Sequence, residues 1–197
     1  MTGTGPSIRH NALTEIRARV REECSRAANR FGSAFFEQHL EVVASYALRL
    51  APTFRADPVQ VEAAAWLHDL SAVQDFTTLP VHAEESARIA GTLLAEWGWP
   101  RPMIERATAA IATHSAPVAP SQGTPEQVCL SCADVMSHLA RPIYWCFYLY
   151  QVRGLPFGEG QAWLRQRAGA AFEALPPAAR ELVAQENAAI ARLMPGD

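Results

Sequence analysis

The sequence predicts an all-α fold of about eight or nine helices. Apolar residues recur three and four positions apart in nearly every segment, no segment sustains strict alternation, and β-branched residues are sparse. Helix start and stop signals then divide the chain. "ALTEIRARVREECSRAANRF", Ala12 to Phe31, carries apolar residues at helical spacing. "FFEQHLEVVASYALRLA", Phe35 to Ala51, reads as one further helix. The next opens with Asp57 as N-cap and Pro58 at the first helical position, and runs "ADPVQVEAAAWLHDL". Ser71 to Val81 reads as a loop. "HAEESARIAGTLLAEWG" ends on Gly98, where a helix C-cap is expected. "PRPMIERATAAIATHS" follows, and Ala116 to Gly123 is a Pro/Ser/Gly loop. Thr124, Pro125 and Gln127 open the next helix in a pattern close to a capping box. "PIYWCFYLYQVRG" and the two segments after it complete the helical reading.

The chain has 197 residues, one domain's worth, and residues 1–197 are expected to form a single domain. Its formal net charge of −3 offers no electrostatic footprint for a nucleic-acid polymer or an anionic membrane. The N-terminus lacks the apolar run of a signal peptide, and "PIYWCFYLYQV" is too short to span a bilayer, so a cytoplasmic location is expected. Lysine is absent: all 17 basic residues are arginine. Any side-chain cation that grips a phosphate must therefore be an arginine. "CLSC", Cys129 to Cys132, has the spacing of half a zinc site. It lies in a helical pattern with no second half, so its sulfurs are expected to be reduced, small apolar side chains, as are those of Cys24 and Cys146.

The polar residues that fit a core poorly are more informative. "AAAWLHDLSAVQDF" ends an apolar helix in His68-Asp69. His39 sits near the start of the preceding helix, His82 opens the following one, and His114 ends the one after that. Asp134 lies in mid-helix between Ala133 and Val135, where a buried carboxylate costs several kcal/mol unless something compensates it. A metal ion would do so, and imidazole with carboxylate suits Zn, Mn, Fe, Co or Ni. His10 has no evident place in this set.

The order His39, His68-Asp69, His82, His114, Asp134, with "EQHLEVVASYALRLA", "AAAWLHDL", "HAEESARIAGTLLAEWG", "IERATAAIATHS" and "CADVMSHL" around it, resembles the HD-domain metal-dependent phosphohydrolase superfamily. The resemblance implies an HD-domain helical bundle with its core over residues 35–141, and residues 142–197 as C-terminal helices packed on it. It implies that His39, His68, Asp69 and Asp134 hold a first divalent ion. His82 and His114 match a two-metal branch in which Asp69 bridges; alternatively those two stay free and bind phosphate. One or two divalent transition metal ions (Fe, Mn, Ni, Co or Zn) are the expected cofactors. The implied activity is hydrolysis of a phosphate ester, a nucleotide or other phosphorylated small molecule, by metal-activated hydroxide. The glycine-tyrosine-proline signature of cyclic-di-GMP phosphodiesterases is absent. Two alternatives remain: a di-iron HD-type oxygenase, and a non-catalytic nucleotide-binding HD module. The 20 residues from His114 to Asp134 look more like the hydrolase layout.

Around this set, Asp69, Asp75 and His138 are the candidate catalytic groups, and Arg141 and Arg88 the candidate substrate-binding cations. Asp75 either orients water or closes a turn. His138 lies one helical turn beyond Asp134, on the same face. The run "YWCFYLY", Tyr144 to Tyr150, could cover a base, but is read first as core or a subunit contact, which makes a homodimer possible. Specificity is expected to reside in Ser71 to Val81 and Ala116 to Gly123.

Overall fold

The structure, a computed structural model, describes residues 6–193, with side chains from residue 12 onward. His10 lies outside the described side chains. Eight helices of at least ten residues make up most of the described chain, and it contains no strand. They are α1 (Pro6–Cys24), α2 (Glu41–Phe54), α3 (Pro58–Leu67), α5 (His82–Glu96), α6 (Arg101–Ala112), α7 (Pro125–Ala140), α9 (Phe157–Ala174) and α10 (Pro177–Leu193). Two single-turn helices, α4 (Leu70–Gln74) and α8 (Ile143–Phe147), fill gaps between them. None is long and apolar enough to cross a membrane.

The expected caps form. Asp57 accepts from the N–H groups of Val59 and Gln60, and Thr124 with Gln127 closes a full capping box at the start of α7. Glu126 also accepts from the N–H of Asp57, which ties the starts of α3 and α7 together. The core follows from small residues at the contacts. Ala63, Ala64 and Ala65 are fully buried, so α3 sits closely against α1, α2 and α6. In α7, Val128, Leu130, Ala133, Met136 and Leu139 are buried against α2, α6 and α10. Leu164, Ala168, Ala171, Val183 and Ile190 bring α9 and α10 into the same apolar cluster.

Four departures from the sequence reading matter for the site. The segment expected as one helix from Phe35 begins with a π-helical turn, Phe36–Leu40, before α2. Such a turn holds an extra residue and re-aims the side chains it carries, here including His39. The first helix ends at Cys24, and Asn29 takes over: its amide donates to the carbonyls of Cys24 (2.8 Å) and Gly32 (3.1 Å). Gly32, at φ 81°, completes the bend that carries Phe31 and Phe35 to the site. Ser71 to Val81 is not a loop but α4 followed by a 3-10 turn, Phe76–Val81. The aromatic run is α8 followed by a second π-helical turn, Tyr148–Val152.

The thiols are inert by burial. Cys129 and Cys132 lie on α7 inside the core, and the Cys129 thiol donates to the Ala47 carbonyl. Burial pushes the thiols of Cys24, Cys129 and Cys132 up to about 12. Ellman's reagent at pH 8 should therefore modify the half-buried Cys146 first in the native protein, with the other three reacting only on unfolding. Fast native labelling of Cys129 and Cys132 would count against this core.

Candidate metal centre

Six side chains from five parts of the chain converge. His68 caps the end of α3 and Asp69 stands in the break before α4, so the pair leaves a buried helix at the point where its axis changes. His82 is the first residue of α5, His114 follows the end of α6, and Asp134 projects from the middle of α7. His39 comes from the π-helical turn ahead of α2. His39, His68 and His114 are essentially fully buried, whereas His82 keeps a fifth of its side chain exposed.

Each imidazole is held by its Nδ1. His68 donates to the Ala65 carbonyl (2.8 Å), His82 to Leu79 (2.7 Å) and His114 to Ile111 (2.6 Å). A carbonyl oxygen only accepts, so each Nδ1 carries a proton and each ring turns its Nε2 inward. His39 is set by a relay. The Ser137 hydroxyl donates to the Asp134 carbonyl (2.8 Å) and so accepts from His39 Nδ1 (3.0 Å).

The inward nitrogens form two pairs. His39 and His68 Nε2 are 3.1 Å apart, and so are His82 and His114 Nε2. Asp69 lies between them with one oxygen for each pair. Its Oδ2 is 3.2 Å from His39 and 3.3 Å from His68; its Oδ1 is 3.4 Å from His82 and 3.6 Å from His114. Asp134 Oδ1 adds a fourth donor beside the first pair, 3.4 Å from His39 and 3.7 Å from His68. Lone pairs that face one another at these distances repel unless a cation lies among them. Donors spaced this way match neighbouring ligands around a divalent ion with bonds of ~2.0–2.2 Å. The donor set therefore fits a metal, and the carbonyls and Ser137 behind the rings are the usual supports of metal-binding histidines.

In the metal-free state a proton takes part of that role. Burial opposes a charged His68, but Asp69 and then Asp134 outweigh it and push the group up to about 9. Burial would raise Asp69, yet the imidazoles of His68, His114 and His39 hold it well below the usual carboxylate range. Asp134 is likewise lowered against its burial by His138, His39 and His68.

A cavity of about 190 Å³ opens over these groups. Its remaining wall is largely aromatic: Phe31, Phe35, Phe76, Tyr144, Trp145 and Phe147. The "YWCFYLY" run thus faces the site, rather than serving only as core or a subunit contact. His138 also lines the cavity. It stacks on Trp145 with centroids 5.0 Å apart, and its Nε2 is 3.6 Å from Asp134 Oδ1. Burial, with the nearby His39, pushes His138 down to about 4 against the pull of Asp134, so this ring is neutral. Its buried Nδ1 has no partner. An unpartnered N–H there costs more than an idle lone pair, which puts the proton on Nε2, toward Asp134 and the cavity.

Three sequence candidates lie outside the cavity. Asp75 is exposed and caps the 3-10 turn, accepting from Thr77 N–H (2.9 Å) and the Thr77 hydroxyl (2.7 Å), which lower its carboxyl. Arg88 is an exposed residue paired with Glu85. Arg141 caps the end of α7 and borders a separate surface cleft with Glu37, Glu41 and Glu186. The arginine that does line the cavity is Arg167 of α9, set against the Trp145 ring. Sequence reasoning missed it, and missed Ser137. Ser137 is three residues past Asp134, a spacing that could have drawn attention; Arg167 has no local signal. Of the two segments expected to set specificity, Ser71 to Val81 contributes Phe76 and Leu79, and Ala116 to Gly123 contributes no lining residue.

The HD domain family model matches residues 36–139. No curated protein matches the chain. Among solved structures, it is similar to a predicted HD superfamily hydrolase from an uncultured Thermotogales bacterium. The TM-score is 0.64 at 20% identity, over 92% of this chain and 88% of that one. It is also similar to Bacillus subtilis YpgQ, solved in complex with ADP, with a TM-score of 0.68 at 18% identity over 96% and 98% of the two chains.

Proposed function

Since the chain belongs to the HD domain family, we propose that it is a metal-dependent phosphohydrolase acting on a small phosphate ester. The observation that carries the reading is the pair of imidazole pairs facing the two oxygens of Asp69. His39, His68, Asp69 and Asp134 would hold one divalent ion, and His82, His114 and the other oxygen of Asp69 a second. Bound there, such ions would activate a water and neutralise charge on phosphoryl oxygens. The protein's own groups do the rest. The carbonyls of Ala65, Leu79 and Ile111 and the Ser137 hydroxyl keep four rings in one tautomer and orientation. With three protein donors against four, the His82 side leaves more room for substrate oxygens. His138 would donate from Nε2 to a substrate or leaving-group oxygen. Arg167, which lines the cavity beside the Trp145 ring, would contact the anion. The ADP complex of the YpgQ relative supports a phosphorylated, nucleotide-like ligand.

The test is phosphate release from a substrate panel by metal-stripped protein supplied with Mn, Ni, Co or Fe(II), under air and under nitrogen. Metal-dependent release without oxygen uptake is expected. Oxygen consumption by iron-loaded protein, or no release with any metal, would overturn the reading.

A further inference from the structure

The aromatic wall is a connected set of ring contacts. Phe31 is its hub: it stacks on Phe35 (4.4 Å, 14°) and meets Phe76 edge-on at 5.1 Å, with Phe147 at 5.8 Å and Tyr144 at 6.1 Å. Phe35 in turn stacks on the His39 ring at 4.8 Å, so the wall runs up to the proposed metal centre. Three separate segments supply it: the bend after α1 with Phe31 and Phe35, the 3-10 turn with Phe76, and α8 with Tyr144, Trp145 and Phe147. Phe31, Phe76, Tyr144 and Phe147 are only half-buried, which leaves ring surface open to a ligand.

What the wall lacks is equally specific. Apart from the proposed ligands Asp69 and Asp134, no Asn, Gln, Asp, Glu or Thr among the described residues lines the cavity. Side chains of that kind pair two donors or acceptors on a base edge at once, as arginine also does, and Arg167 is the cation already proposed for the anion. Ser115 lies beside His82 Nε2 at 3.4 Å, and His138 and Arg167 stand on the Trp145 side. The aromatic side therefore offers ring faces whose hydrogen-bonding groups stand singly, the hydroxyls of Tyr144 and Tyr148 and the indole N–H of Trp145. At about 190 Å³ the cavity suits one flat ring system beside a phosphoryl group.

We propose that this wall is a stacking subsite that selects phosphate compounds by a flat π-system, without regard to the hydrogen-bonding pattern on its edge. The inference rests on the metal-centre reading only for the position of the phosphoryl group. The flat group is either a nucleobase or a simple aryl ring, and the two sources share the same chemistry. Stacking is sequence-tolerant because every base has a π-face.

The test uses the full chain loaded with Mn2+ and reads binding by calorimetry, separately from turnover. Phenylphosphonate and methylphosphonate share a non-hydrolysable headgroup and differ by the ring. Phenylphosphonate should bind about tenfold more tightly. Phe76→Leu should reduce that ratio to about threefold or less, with the melting temperature unchanged, and Phe76→Tyr should restore it. Equal binding of the two phosphonates, or a ratio unaffected by Phe76→Leu, would overturn the proposal. AMP, GMP, CMP, UMP and ribose 5-phosphate then compete against bound phenylphosphonate. The four nucleotides should fall within about threefold of one another and outcompete the sugar phosphate. A preference of more than about tenfold for one base would overturn it by showing that edges are read. Nucleotides no better than ribose 5-phosphate, with the phenyl preference intact, would support it with an aryl ring as the source. Ring preference without hydrolysis of any ester would sink the hydrolase reading and leave this subsite standing.

Discussion

Asp69→Asn is expected to bind no more than half the metal of the native protein and to lose at least about a thousandfold in kcat/KM. The substitution preserves volume and one oxygen, so packing around α3 and α4 should survive. It replaces the other oxygen with an amide that only donates. That amide must face either the His39–His68 pair or the His82–His114 pair, because Asp69 serves both at 3.2 to 3.6 Å. Whichever pair receives it gains a hydrogen bond to its lone pairs and loses its anionic donor. One imidazole pair would then be left with two neutral donors and no carboxylate oxygen, which would weaken its hold on a divalent ion. Metal content by plasma mass spectrometry and kcat/KM at saturating Mn2+ decide the matter. If Asp69→Asn keeps native metal stoichiometry and rate, Asp69 does not bridge.

The six convergent residues were legible in the sequence because their chemistry is carried by residue type and order along helices. A carboxylate at Asp134 between Ala133 and Val135 is conspicuous in any helix destined for a core. Arg88, Arg141 and Asp75 show the limit of that reasoning. All three lie close in sequence to proposed ligands, yet helix rotation turns Arg88 to solvent, Arg141 borders a separate cleft, and Thr77 engages Asp75. Arg167 is 33 residues beyond Asp134 and reaches the cavity only because α9 packs on α7. The aromatic wall was hidden for a related reason. Periodicity identifies Phe31, Phe76 and Phe147 as apolar, but only the bend set by Asn29 and Gly32, the 3-10 turn and α8 bring their rings to one place. Ser137 lay in plain view, and reads as an ordinary helical serine until the ring it orients is seen.

Stripping the metal should lower the melting temperature by about 10 °C, and by more at pH 8.5 than at pH 6.5. An ion present at a thousand times its Kd contributes about 4 kcal/mol to the folded state, and each kcal/mol moves a chain of this size by about 2–4 °C. The pH dependence follows from what replaces the ion. In the metal-free fold His68 is raised from 6.5 to about 9, because Asp69 and Asp134 outweigh the burial that opposes its charge. A raised folded value means the proton stabilises the metal-free fold fully below about pH 6.5, and that this contribution is lost as pH rises through about 9. The metal-loaded protein could not use that proton, since an ion held by His68 would need the lone pair that the proton occupies. At pH 6.5 the stripped protein is therefore partly compensated by imidazolium, and at pH 8.5 it is left with more of the uncompensated acceptors of Asp69, Asp134 and the paired rings. Melting curves with Mn2+ and with EDTA at both pH values measure the two gaps. A gap that is equal at the two pH values, or wider at pH 6.5, would mean that proton and metal do not compete for His68. The same comparison in Ser137→Ala should show a smaller gap at both pH values, because an unanchored His39 ring weakens metal binding by about 10–100-fold.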